Sequence, residues 1–181
     1  MKINYLPKRK SIRLRKYNYS LPNYYFVTIC ANNRQCLFGK INNGKIKLNA
    51  IGETTNKYWR QLVKQFNHIS LGKYIIMPNH LHGIIIIKNV GAGYPRPQIP
   101  LGQIIAWFKY QSTKQINQII NDPAGIINNG REDRAPTNKK YPKIWQRNYY
   151  EHIIRNEEEL GRIEQYIITN PTMWSYDTNR P

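Results

Sequence analysis

At 181 residues the chain is long enough to bury one core without disulfides or metal staples, and no apolar stretch approaches the ~18 residues of a membrane span. Two cysteines, Cys30 and Cys36, exclude a disulfide framework and a zinc knuckle, and the N-terminus lacks the apolar centre of a secretory signal, so a cytoplasmic protein is expected. Lys and Arg number 28 against 10 Asp and Glu, a net +18, and residues 1–121 contain a single acid, Glu53. Such a field favours a polyanion, and 14 Tyr and 4 Trp offer stacking surfaces, so single-stranded nucleic acid is the indicated partner, with a merely solvated basic surface as the plain alternative.

Residues 1–20 carry Lys8, Arg9, Lys10, Arg13, Arg15 and Lys16 without an acid, the pattern of a basic arm that lies along phosphates or of a simple tail. Residues 21–181 read as one domain. Asn23 to Ala31 is rich in β-branched and aromatic residues and predicts a strand, with a hairpin around Asn43-Gly44. Ile51, Tyr58, Trp59, Leu62, Val63 and Phe66 recur at helical spacing and predict a helix over 50–66. Ile69 to Met77 and His80 to Lys88 predict two strands joined by a turn at Pro78-Asn79, the second covered on both faces.

Residues 89–100 read as a loop. A second amphipathic helix follows through Leu101, Ile104, Ile105, Phe108, Ser112, Ile116, Ile119 and Ile120, then a longer loop over 121–143 and a strand within Ile144 to Ile154. Asn156 caps a last helix that opens Glu157-Glu158-Glu159, with Glu159 at the capping-box position, and Asn170-Pro171 stops it. The order strand, helix, strand, strand, helix, strand is that of a ferredoxin-like α+β sandwich: a central antiparallel sheet, two packed helices and an extra C-terminal helix. That architecture alone does not decide a function.

Two side-chain pairs carry chemistry. His80 and His82, one residue apart on a strand, share a face and make half of a metal site, or else a surface or core pair. Tyr166 and Asn170, four residues apart on the last helix, present a phenol and an amide oxygen together at the edge of the Leu160, Ile163, Ile167 stripe. Alternatively, they are a boundary tyrosine and a helix stop.

The stretches Tyr25-Phe26-Val27-Thr28-Ile29, Ile76-Met77-Pro78-Asn79-His80-Leu81-His82, Trp145-Gln146-Arg147 with Glu151-His152-Ile153-Ile154-Arg155, and Tyr166-Ile167-Ile168-Thr169-Asn170-Pro171 come in one order along the chain. Together they resemble the single-tyrosine HUH transposases, most closely the REP-associated tyrosine transposases. The resemblance implies that residues 21–181 are the catalytic domain, that Tyr166 is the nucleophile, and that His80, His82 and Asn170 hold a divalent metal, Mg²⁺ or Mn²⁺. It also implies cleavage and rejoining of single-stranded DNA beside hairpin ends through a 5′-phosphotyrosine, in a nucleoid-associated homodimer or monomer. Arg147 and Arg155 join the basic arm as DNA-binding candidates.

Tyr149 and Tyr150 are rival nucleophiles. Two other functions stay open on the same residues: a non-enzymatic single-stranded DNA or RNA binder, and a zinc hydrolase using the histidine pair and a water, for which a third His or carboxylate at ligand spacing is missing.

Overall fold

Alternation along β1 (Asn23–Cys30) sends Tyr25, Val27 and Ile29 to one side of a sheet and Phe26 and Thr28 to the other, and all five are buried. A strand buried on both sides needs neighbours on both edges and a layer on each face, and β1 has them. The computed structural model describes residues 13–14, 16–89, 99–121 and 142–180. Lys8, Arg9, Lys10 and Arg15, and most of the two expected loops over 89–100 and 121–143, lie outside those residues.

β1 pairs antiparallel with β5 (His80–Ile87) on one edge and with β6 (Tyr150–Ile154) on the other, and β4 (Ile69–Ile76) pairs antiparallel with β5. The resulting order, β4-β5-β1-β6, with α1 (Ala50–Gln65) between β1 and β4 and α2 (Leu101–Asn121) between β5 and β6, is the ferredoxin-like topology expected. The hairpin β2 (Gly39–Asn42) and β3 (Lys45–Leu48) forms a separate two-stranded sheet. Its turn residues Asn43 and Gly44 both have positive φ, 49° and 69°, as an Asn-Gly hairpin turn requires.

α1 and α2 cover one face. Trp59 and Leu62 from α1, and Ile104 and Phe108 from α2, pack on Tyr25, Val27, Ile29, Leu81 and Ile85. Gly83 permits this approach: a Cβ there would lie 2.4 Å from the Trp59 ring. α3 (Glu157–Thr169) covers part of the opposite face, setting Ile167, with Leu160 and Ile163, on Phe26, Ile84 and Ile154.

Two boundaries and one capping contact differ from expectation. α1 stops at Gln65, where Phe66 turns extended as the cap. The fourth strand is shorter than the stretch Ile144–Ile154 in which it is expected: Trp145 makes only an isolated bridge to Ala31, and pairing as a strand starts at Tyr150. The cause is a side chain, since the Lys109 amine donates to the carbonyls of Gln146 and Asn148 at 2.8 and 2.9 Å and draws them toward α2. At α3, Asn156 Oδ1 accepts from the Glu159 N–H as predicted. Glu159 reaches back one residue further than a capping box, accepting from the Arg155 N–H at 2.8 Å and meeting His152 Nε2 at 2.7 Å. One carboxylate thereby ties the end of β6 to the start of α3. No helix among the described residues is long and apolar enough to cross a membrane.

Candidate metal centre and nucleophile

The strand period puts His80 and His82 on the face that α3 covers, and the register sets Thr28 opposite His82 and Cys30 opposite His80. Both histidines are buried. His80 Nδ1 lies 2.7 Å from Asn79 Oδ1, an acceptor only, so Nδ1 carries the proton and Nε2 presents a lone pair. Asn79 is itself anchored, its amide donating to the carbonyls of Arg34 and Asn179. His82 Nδ1 lies 2.8 Å from the Thr28 hydroxyl. Each imidazole is thus held through Nδ1 and aims Nε2 at one point, where the two nitrogens are 3.0 Å apart.

A carboxylate reaches the same point from the segment after α3. That segment folds back over the sheet: the Trp174 ring packs on His80 with centroids 6.1 Å apart, and Arg34 donates to the Thr178 carbonyl. The Asp177 side chain is buried, with Oδ1 accepting from the Asn179 N–H and Oδ2 unpartnered 3.6 Å from His80 Nε2. Distance alone suggests an ion pair. Burial, however, pulls His80 down to about 4 against the upward pull of Asp177, and burial with His80 beside it drives His82 well below the usual imidazole range. The histidines are therefore neutral near pH 7, and the Asp177 oxygen faces the His80 Nε2 lone pair.

A divalent cation fits this arrangement. It would sit among His80 Nε2, His82 Nε2 and the Asp177 carboxylate, whose ligand atoms all lie within 4.8 Å of one another. Two nitrogens at 3.0 Å match neighbouring ligands at right angles around an ion about 2.1 Å from each. Asn170 Oδ1 is a further buried oxygen without a hydrogen-bond partner. A mixed nitrogen and oxygen set suits Mn²⁺, whereas Mg²⁺ prefers oxygen alone.

α3 delivers Tyr166 to the same place. Its hydroxyl lies 3.2 Å from His82 Nε2 and its ring packs edge-on against Phe26. Burial and the Asp177 charge raise the phenol above its usual range, and a hydrogen bond from Asn170 opposes them.

The structure separates the rival tyrosines. Tyr149 turns to the helix-packed face, where its hydroxyl accepts from Arg13 at 3.0 Å and burial pushes it up to about 12. Tyr150 stays exposed on the histidine face. Of the basic candidates, Arg13 lies at this sheet edge, 3.9 Å from Glu151, while Lys16, Arg147 and Arg155 are exposed. Asp177 was missed from sequence, and its only signal was being the single acid beyond Glu164. Thr28 and Asn79 were visible as motif members without a role.

No family model matches the chain. An uncharacterized protein of Haemophilus influenzae is 39% identical over 171 residues, covering 93% of this chain and 91% of that one. The chain belongs to the family of that protein. Among solved structures, a REP-associated tyrosine transposase bound to a REP hairpin superposes with a TM-score of 0.57 at 17% identity, covering 91% of this chain and 75% of that one. At that identity the likeness is one of fold: the chain shares the fold of that structure, and its two histidines and one aspartate form a cluster capable of holding a metal.

Proposed function

We propose that the chain is a metal-dependent, single-strand-specific DNA endonuclease and transposase that cuts and rejoins DNA beside hairpins, with Tyr166 as nucleophile. The observation that carries this reading is the Tyr166 hydroxyl 3.2 Å from His82 Nε2, beside the neutral histidine pair and the buried Asp177 carboxylate. A divalent cation held by His80, His82 and Asp177, with Asn170 Oδ1 as a further donor, supplies Lewis-acid polarisation of the scissile phosphate.

The chain's own residues do the rest. α3 holds the phenol beside the cluster, so the attacking oxygen is positioned before substrate arrives. Tyr166 oxygen bonds to phosphorus, the bond from phosphorus to the 3′ oxygen breaks, and that oxygen leaves with a proton as a 3′-hydroxyl, while the phenolic proton passes to solvent. The 5′-phosphotyrosine conserves the linkage for rejoining. The net +18 charge supports a polyanionic substrate, and the relative of like fold is bound to a hairpin.

Asp177 also favours a second reading, because it supplies the carboxylate a two-histidine zinc hydrolase needs to activate water. One experiment separates the two. The protein is incubated with Mn²⁺ and end-labelled single-stranded hairpins from the flanks of its own gene, comparing wild type with Tyr166→Phe on denaturing gels. A protein-linked DNA band that the substitution abolishes is expected. Cleavage that persists in Tyr166→Phe without any linked band selects the hydrolase. Tight binding with neither cleavage nor adduct across metals and hairpins selects a binding module.

A further inference from the structure

The sheet register sets His82, Thr28 and Tyr150 side by side across β5, β1 and β6 on one face, so the Tyr150 backbone lies two strand spacings, about 10 Å, from that of His82. The first two side chains of this row are buried, and the third is 53% exposed. Tyr150 is nonetheless placed by packing: its ring meets Phe26 edge-on with centroids 6.5 Å apart. Phe26 is the hub of the cluster, stacking on His82 at 5.4 Å and meeting Tyr166 edge-on at 6.2 Å. Two exposed rings of this face, Tyr150 and Tyr166, therefore abut one buried phenylalanine that also backs a metal-ligating candidate.

Tyr150 is one of several exposed tyrosines, and the sheet register sets it in line with His82 on the histidine face, its ring fixed by Phe26. Its exposed face offers what any nucleobase needs, a flat π surface. Exposed Arg147 precedes it on the turn whose carbonyls Lys109 grips, which adds positive charge for a backbone phosphate.

We propose that Tyr150 is the stacking platform for a base of the single-stranded DNA next to the scissile phosphate, and so a positioning residue for the reaction. The proposal rests on the nuclease reading for the word scissile, while the stacking itself does not. It assigns Tyr150 a ring and not a hydroxyl, which separates it from a nucleophile.

The test uses two 15-nucleotide probes with the same phosphate backbone, oligo-dT and a strand in which every base is replaced by an abasic site, with affinity read by fluorescence anisotropy. Wild type is expected to prefer oligo-dT. Tyr150→Ala should lower oligo-dT affinity roughly tenfold, within the range for losing one stacked base, and leave the abasic strand unchanged. Tyr150→Phe and Tyr150→Trp should restore it. On the hairpin substrates, Tyr150→Phe should keep the protein–DNA adduct, and Tyr150→Ala should raise KM more than it lowers kcat.

Equal losses on both probes, an unchanged oligo-dT affinity in Tyr150→Ala, or loss in Tyr150→Phe as deep as in Tyr150→Ala would each overturn the platform. If the anisotropy pattern holds while no protein forms an adduct, the platform stands and the nuclease reading falls.

Discussion

The two faces of the sheet are built from the same strands and differ in what those strands bury. Against α1 and α2, the buried side chains of β1 and β5 are apolar and meet Trp59, Leu62, Ile104 and Phe108. Against α3, the same strands bury two histidines and a threonine, and two buried oxygens on that side, Asp177 Oδ2 and Asn170 Oδ1, lack partners. Buried acceptors without donors destabilise a fold, and native chains carry few of them. Trp59 Nε1 on the helix face is unpartnered as well, but Asp177 Oδ2 stands beside a histidine pair, where a cation can offset the cost. The first face stabilises and the second prepares a site.

The widest contrast is expected from large-to-small changes on the helix face. Phe108→Ala empties a position in contact with the rings of Trp59 and Trp145 and should cost about 3–5 kcal/mol in urea denaturation. A cost near that of a surface change would break the division of labour between the faces.

On the other face the sign of a stability change should invert. Asp177→Asn replaces an anionic oxygen facing the His80 lone pair with an amide that can donate to it. In EDTA the variant should therefore be more stable than wild type, by about 1 kcal/mol, the worth of one hydrogen bond. With Mn²⁺ the order should reverse. Wild type gains about 2.7 kcal/mol at a hundredfold excess over its dissociation constant, and the variant gains less for having lost its charged ligand. Thermal melts with and without Mn²⁺ check both halves. A variant less stable than wild type in EDTA would show that the carboxylate serves the fold.

The same contrast explains what could be read in advance. Hydrophobic period carried most of the fold: the 3.6 spacing from Leu101 to Ile116 placed α2, and the turn residues Asn43-Gly44 placed the hairpin. Period two put His80 and His82 on one face, and the i, i+4 rule put Tyr166 beside Asn170. Asp177 obeys no period. It arrives because Asn79 and Arg34 hold the backbone of Asn179 and Thr178, contacts between residues about a hundred or more positions apart that no local pattern encodes. Period two also says that Tyr149 and Tyr150 face opposite ways, but only the pairing of Tyr150 with Thr28 says which one faces the histidines. The stretch from Ile144 pairs with Asn32 and Cys30 at its start and then breaks before Tyr150, where a lysine on α2 takes the carbonyls of Gln146 and Asn148, a tertiary contact that overrides strand propensity.

The smallest effect is expected at the rim of the site face, where Glu159 joins β6 to α3. The Arg155 N–H and the His152 ring hold its carboxyl below the usual carboxylate range. A carboxylate whose pKa is lower folded than unfolded contributes stability above the unfolded value, about 4.5, and loses it as pH falls through the folded one. Glu159→Gln should thus be slightly less stable than wild type at pH 6, and the gap should narrow as pH falls below 4.5, as urea melts across that range would register. The variant should bind Mn²⁺ as wild type does, because the tether orients the start of α3 whereas Tyr166 and Asn170 stand at its far end. A matching loss of Mn²⁺ affinity would mean instead that the helix transmits strain from its cap to the site, and that the rim and the centre of this face act as one unit.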